Sequence, residues 1–369
     1  MSSPYMREAL DLARKGRALA SPNPMVGAVI VRDGEVVGRG FHTYAARDHA
    51  EIIALAQAGD KARGATMYLN LEPCSHHGRT PPCVDALIAA GIRKVVAPIA
   101  DTNPLVVGQG FDRLREAGVE IELAGELAAE AEKLNEAFLH FMRRGRPLVT
   151  LKAAITLDGK ISAPDDNRGW ITSERARAHV QELRHESDAI LTGIGTVLAD
   201  DCLLTDRTGA ARSRPLLRIV MDSQLRLPVD SKMVRSVNGD VLAITTTAGN
   251  AERRKMLEAR GVQVLVMDGP GGRADLSSAV DWLGRQRYLS LMIEAGSKVN
   301  WTALETGVVD RVFFYYGPKI LGGLEALPLA GGIGRRRRAD AIQVRRVTVH
   351  PIPPDEFAVE GYLDVHRDY

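Results

Sequence analysis

The sequence predicts a two-domain protein of the α/β class, and three observations carry that expectation. At 369 residues the chain exceeds one ordinary core, since domains commonly hold about 100–200 residues. Short strand-like apolar segments alternate with segments of helical spacing, a pattern that places helices on the faces of a sheet. The alternation breaks at RRGRP and restarts after Pro147, which puts the boundary at about residue 145 and gives domains 1–145 and 146–369.

In the first domain a helical pattern over 3–18 leads through SPNP to VGAVIVRDGEVVGRGFH, where Asp33-Gly34 signals a hairpin between two strands. A helix then opens at His49 with HAEIIALAQAG. It is followed by the strand ATMYLNLE, the helix VDALIAAG, the strand KVVAPIA, the helix GFDRLREAG, the strand VEIELAG and one helix near 126–142. The second domain restarts with LVTLKAAITLDGKIS. It continues through HVQELRHESDAILTGIGTVLADD, the strands LLRIVMD and VLAITT, the helix AERRKMLEARG, the strand VQVLVMD and the segment SLMIEAGSKVN. The strands RVFFYYGPKIL and FAVEGYLDVHR close it.

Composition limits the function classes. With 45% hydrophobic and 25% charged residues and a net charge of +2, the chain reads as globular, with no electrostatic case for nucleic acid or a membrane surface. No run of 18 apolar residues occurs, and the N-terminal MSSPYMREALDLARKGRALA lacks the apolar centre of a signal peptide. Cys74, Cys83 and Cys202 cannot pair evenly, so reduced thiols and a cytoplasmic location are expected.

The helix beginning at His49 raises the first chemical question. His49-Ala50-Glu51 offers a nitrogen ligand, a spacer and a carboxylate, but an isolated H-x-E triplet says little. Pro73-Cys74 follows the strand ATMYLNLE at its carboxyl end. TPPC then places Cys83 in the first turn of the next helix, where proline is tolerated and the positive helix end favours a thiolate. One nitrogen and two sulfurs suit tetrahedral zinc, and three protein ligands leave the fourth place for water. Zinc deaminases combine H-x-E with P-C-x-x-C, the glutamate carrying protons without ligating. Here SHHGRTPP separates the cysteines, which argues against the simple cytidine or tRNA deaminase pattern. The competing readings are a structural zinc closed by His76 or His77, and two unrelated buried thiols.

SPNPMVGAVIV, HAE and above all LEPCSHHGRTPPCVDALIAAG resemble the deaminase half of the bifunctional riboflavin biosynthesis deaminase/reductase family, and the similarity runs through almost the whole chain. The resemblance implies a cytidine-deaminase-like α/β/α domain with one Zn2+ per chain on His49, Cys74 and Cys83, and Glu51 as the catalytic proton carrier. It implies as substrate the diaminopyrimidinone ribosylamino 5′-phosphate derived from GTP, which loses its 2-amino group as ammonia. Zinc makes water acidic enough to attack near neutrality, while Glu51 would move the proton to a ring nitrogen and then to the departing amine. Asn23, His42, His76, Asp101 and Asn103 lie in segments similar to those that contact substrate in the family.

The second half yields less to pattern alone. Gly193-Ile194-Gly195 starts a G-x-G but lacks the third glycine, and no Walker pattern occurs. LKAAITLDGKI, GWITS, LRHESDAILTGIGTVLADDCLLT and IEAGS are similar to the reductase half of the same family. That implies a dihydrofolate-reductase-like α/β domain, which binds NADPH without a G-x-G-x-x-G fingerprint and reduces the ribosylamino group to ribitylamino. By motif the resemblance places Ala154, Trp170, Thr196, Asp200 and Gly296 against NADPH. It places Lys152, Arg184, Leu204, Arg207 and Glu294 at the substrate, the two arginines being suited to its phosphate. The family usually continues Gly-Pro after this glutamate, whereas Ser297-Lys298 follows Gly296 here.

The implied partner is a small phosphorylated pyrimidine, with no nucleic acid and no membrane, and the family implies a homodimer or homotetramer. RRRR at 335–338 reads as a solvated loop, and Cys202 as a plain buried or loop thiol. Two alternatives remain: a nucleoside or tRNA deaminase with an accessory domain, which needs a basic face, and a zinc-stabilised binding module, which needs a fourth protein ligand.

Overall fold

The computed structural model of the chain describes residues 3–78, 80–100, 108–165 and 168–363. Two compact units are present: Met1–Gly145 together with Ala211–Arg214, and Arg146–Ala210 together with Pro215–Tyr369. The return of residues 211–214 to the N-terminal unit is invisible to pattern reading. It is held there by Ser213, whose amide donates to Ala18 O and whose hydroxyl donates to Ser21 O.

The N-terminal unit runs α1 (Pro4–Arg14), β1 (Gly27–Arg32), β2 (Glu35–Phe41), α2 (Ala50–Ala58), β3 (Thr66–Leu69), α3 (Cys83–Ala90), β4 (Lys94–Ala97), α4 (Gln109–Glu116), β5 (Glu120–Leu123), α5 (Ala128–Leu134) and α6 (Glu136–Arg144). Its sheet has the order β2-β1-β3-β4-β5, antiparallel at β2-β1-β3 and parallel at β3-β4-β5. The side chains of β1 alternate, Val29 and Val31 packing with α1, α5 and α6, and Ala28 and Ile30 with α2, α3 and α4. The result is the three-layer α/β/α arrangement expected for this half. Asp33 and Gly34 both take positive φ, 51° and 82°, as the tight hairpin demands.

Two features of this unit place the site. A Cβ on Gly40 would lie 2.1 Å from Ala50 O, so only glycine lets β2 meet the first turn of α2 backbone to backbone. The single helix expected near 126–142 is instead broken at Asn135, which belongs to neither α5 nor α6. Its side chain accepts from Met25 N at 2.8 Å and donates to Met25 O at 2.9 Å. A tertiary bond thus overrides a continuous helical pattern.

The C-terminal unit contains β6 (Leu148–Thr156), β7 (Lys160–Ser162), α7 (Glu174–Glu186), β8 (Ala189–Gly193), α8 (Ile194–Asp200), β9 (Leu217–Met221), α9 (Lys232–Arg235), β10 (Val241–Thr245), α10 (Ala251–Glu258), β11 (Gln263–Val266), α11 (Leu276–Arg285), β12 (Ser290–Ile293), α12 (Ser297–Glu305), β13 (Arg311–Gly317), β14 (Leu327–Pro328), β15 (Val344–Ile352) and β16 (Glu356–Leu363). The main sheet has the order β11-β10-β9-β8-β12-β6-β13-β16-β15. It is parallel from β11 to β13, with β16 and β15 added antiparallel. Its central strands are apolar on both faces, as parallel strands between helix layers must be. Residues of α7 to α10 pack on one face and those of α11 and α12 on the other. Pattern reading places no element at α11 or β15. Among the described residues no helix is long and apolar enough to cross a membrane.

Candidate active sites

In the N-terminal unit three local signals converge. His49 is the N-cap of α2, Glu51 lies in its first turn, and Cys83 opens α3 directly after Pro82. Cys74 is displaced from its expected place at a strand end: β3 stops at Leu69, and an irregular segment carries the thiol onward. His49 Nδ1 lies 3.2 Å from Cys83 Sγ and 3.5 Å from Cys74 Sγ. The donor atoms of His49, Cys74 and Cys83 all lie within 4.8 Å of one another, and among the described residues no fourth histidine, cysteine or carboxylate joins them. His76 and His77, the candidates for closing a structural site, are exposed.

The two thiols divide one proton between them, and the helix end at Cys83 does not make that sulfur the thiolate of the pair. A hydrogen bond from Cys83, further helped by His49, holds the Cys74 thiol well below its usual range. Donation to Cys74, and then burial, pushes Cys83 up. The Cys83 amide also donates to Cys74 Sγ at 3.3 Å. His49 is raised through its bond to Cys74. Glu51 is only 3% exposed, and burial followed by the nearby Cys74 charge raises its carboxyl. Its Oε2 is buried with no hydrogen-bond partner among the described residues. One nitrogen and two polarisable sulfurs, beside a carboxylate oxygen left unmatched, fit zinc with a water in the fourth place.

Two expected substrate residues sit next to this cluster. His42 Nδ1 lies 2.9 Å from Asp48 O, which makes Nδ1 the protonated nitrogen and leaves Nε2 to accept from Asn23 Nδ2 at 3.0 Å. The rings of His42 and His49 meet edge to face with centroids 5.2 Å apart. Asp101 and Asn103 lie outside the described residues.

In the C-terminal unit the strand neighbours β6 and β12 bring together residues far apart in the chain. Lys152 Nζ donates to Glu294 Oε1 at 3.0 Å, while Arg184 from α7 donates to Glu294 Oε2 through Nη2 at 2.9 Å and through Nε at 3.2 Å. Burial alone would raise the Glu294 carboxyl, but Lys152 and Arg184 outweigh it and bring it down to about 2. Arg184 Nη1 also donates to Thr205 O at 3.0 Å, next to Leu204, a buried residue with φ of 51°. Arg207 is exposed, its amide donating to the Gln181 side chain.

The expected cofactor residues are spread more widely. Ala154 lies on β6 opposite Tyr315. Gly296 is the N-cap of α12, and a Cβ there would stand 3.7 Å from Thr196 Oγ1 on α8, so these two face each other. Asp200 ends α8 and is exposed. Trp170 is 66% exposed beneath the Arg177 guanidinium, which excludes a core role. At the departure from the family pattern, Ser297 is buried with its Oγ lacking a hydrogen-bond partner among the described residues, whereas Lys298 is exposed. The RRRR run is exposed as expected, yet Arg335 stands over the Trp301 ring, an aromatic contact that adjacency in sequence does not show.

Sequence reasoning misses four polar residues here. Lys152 Nζ lies 5.9 Å from the Tyr315 ring centroid, and Tyr315 Oη is 2.9 Å from His179 Nδ1. His185 and Asp206 form a buried pair at 2.8 Å, bridging the residues next to Arg184 and Arg207. A hydroxyl inside the apolar run RVFFYYG is the only advance signal for Tyr315, and HES offers none for His185.

Comparison with known proteins matches residues 147–355 to the RibD C-terminal domain and residues 1–99 to the cytidine and deoxycytidylate deaminase zinc-binding region. The riboflavin biosynthesis protein RibD of Actinobacillus pleuropneumoniae is 42% identical over 351 residues, covering 95% of this chain and 93% of that protein. Among solved structures, Acinetobacter baumannii RibD superposes with a TM-score of 0.86 at 35% identity, over 97% of this chain and 98% of the other. A Thermotoga maritima diaminohydroxyphosphoribosylaminopyrimidine deaminase/5-amino-6-(5-phosphoribosylamino)uracil reductase gives 0.82 at 35% identity, over 97% of both chains. Full-length agreement at this identity makes the chain a member of the RibD family of bifunctional riboflavin-biosynthesis deaminase/reductases.

Proposed function

We propose that the chain carries out two consecutive reactions on one small phosphorylated pyrimidine. The first, in residues 1–145, is hydrolytic deamination of the diaminopyrimidinone ribosylamino 5′-phosphate. The second, in residues 146–369, is reduction of the ribosylamino side chain to give the ribitylaminouracil 5′-phosphate. The observation that carries the reading is the three-donor set of His49, Cys74 and Cys83 beside the unmatched, buried Oε2 of Glu51.

Zinc, when bound by His49, Cys74 and Cys83, supplies a Lewis acid that makes water a nucleophile near neutral pH. Glu51 Oε2 takes a proton from the attacking water, delivers it to the ring nitrogen, and then helps protonate the amine as the carbon–nitrogen bond breaks and ammonia leaves. His42, its tautomer set by Asp48 O, orients the Asn23 amide, and both would line the pyrimidine pocket. His76, Asp101 and Asn103 are assigned to the same substrate.

NADPH, when bound along Ala154, Trp170, Thr196, Asp200 and Gly296, supplies the reducing equivalents. Lys152 is held by Glu294 with its ammonium positioned to meet negative charge developing on the opening sugar. Glu294 faces the sugar beside Leu204, while Arg184 and Arg207 would hold the phosphate.

Neither step calls for nucleic acid or a membrane, and the free thiols fit a reducing cytoplasm. We also infer a homo-oligomer: β15 is an edge strand of the nine-stranded sheet and exposes Val344, Val347 and Val349, apolar residues that a second copy would cover. The decisive experiment supplies the diaminopyrimidinone substrate to zinc-loaded protein and follows ammonia release and NADPH oxidation together. Both signals, in that order, are expected. Ammonia without NADPH consumption would remove the reductase assignment and leave the deaminase.

A further inference from the structure

Cys74 sits on an irregular segment, and two thiolates brought to one metal repel each other, so something must fix that segment. The contacts converge on α4. Glu72, 4% exposed, accepts from Gly110 N at 2.8 Å and Phe111 N at 3.1 Å through Oε1, and from Gly108 N at 3.1 Å through Oε2. A Cβ on Gly110 would lie 2.3 Å from Pro73 O, so the start of α4 presses directly on the peptide leading into Cys74. On the other side of the cysteine, Arg113 Nη1 donates to Ser75 O at 2.9 Å. The same guanidinium pairs with Asp85, in the first turn of the helix that Cys83 opens. Residues 72, 73 and 75, flanking Cys74, and residue 85, beside Cys83, are therefore all held by a single short helix.

We propose that the first turns of α4 form a brace that sets the spacing of the two sulfur ligands, with Glu72 and Arg113 as positioning residues that act through the backbone on either side of Cys74 and through Asp85. The inference rests on the reading of His49, Cys74 and Cys83 as zinc ligands. Its physical basis is that outer groups orienting metal ligands commonly govern metal affinity by about 10- to 100-fold. Glu72 also caps α4, so a merely structural role would lower stability without altering how the metal is held.

The test uses the full-length chain with zinc bound. Zinc affinity is measured by competition with a chromophoric chelator, and NADPH oxidation on already deaminated substrate reports that the rest of the chain is intact. Glu72→Ala is expected to weaken zinc binding by about 10- to 100-fold. Glu72→Gln should fall between it and the parent, because Gln keeps the acceptor for Gly110 and Phe111 but turns an amide N–H toward Gly108. Arg113→Ala, at a half-exposed position that tolerates truncation, should weaken zinc binding roughly threefold, and it carries the test if Glu72→Ala fails to fold. Zinc affinity within error of the parent in these folded variants, with only the melting temperature lowered, would overturn the brace. A parent chain that holds no zinc overturns the metal-site reading and the brace together, whereas a parent that holds zinc tightly while the variants do not separates the two.

Discussion

The two candidate sites are built by different means. The N-terminal one gathers its donors from a short stretch, His49 and Cys83 being 34 positions apart, on two helix starts and the segment between them. The C-terminal one joins Lys152 to Glu294 across 142 positions, and only the adjacency of β6 and β12 in the sheet brings them together. A site written in local spacing announces itself in sequence, whereas one written in topology does not. The first leaves Glu51 Oε2 without a hydrogen-bond partner among the described residues, while the second compensates its half-buried carboxylate twice over.

That contrast can be broken by experiment. Glu51→Gln should retain zinc yet lower deamination by about 10²- to 10⁴-fold, with NADPH oxidation on deaminated substrate unchanged. A parallel loss of both activities would mean that the two sites are not independent. Glu294→Gln should do the reverse, abolishing reduction and leaving ammonia release intact. It should also destabilise the C-terminal unit by about 3 kcal/mol, because Lys152 and Arg184 would lose their shared counter-charge. Denaturant unfolding at neutral pH measures the second effect, and a stability equal to the parent would show that the three residues are not coupled.

The smallest effect concerns acid. The Glu294 carboxyl is held down to about 2 in the fold, below its unfolded value of about 4.3. A depressed carboxyl stabilises the fold above its unfolded pKa, and that contribution is lost as pH falls through the window toward 2. The parent should therefore lose more stability than Glu294→Gln between pH 5 and about 3 in matched unfolding experiments. Parallel curves would contradict the pairing.

The same division explains what was legible beforehand. Residue chemistry and spacing in HAE, PC and TPPC single out His49, Cys74 and Cys83, which the fold brings together as candidate metal donors, and the β1–β2 hairpin follows from Asp33-Gly34, because each depends on neighbours in the chain. The break at Asn135 is hidden, since its cause is Met25, 110 positions away. Tyr315, His179, His185 and Asp206 are equally hidden: each gains its partner only after strands and helices pack. Motif resemblance supplies Lys152, Arg184 and Glu294 as residues, but their mutual bonding is a property of the sheet order.

Met25 carries a further consequence. Asn70 bonds Met25 O and Gly27 N, and Asn135 bonds both the amide and the carbonyl of Met25, so two side chains serve this segment as a neighbouring strand would. A chain ending after β5 would contain all three candidate metal donors and all five strands, yet it would leave the Met25 amide without its acceptor and the path from Asn23 into β1 tied by one asparagine. The candidate metal donors therefore lie wholly before α5, whereas the groups that fix the chain beside Asn23 extend into the break between α5 and α6.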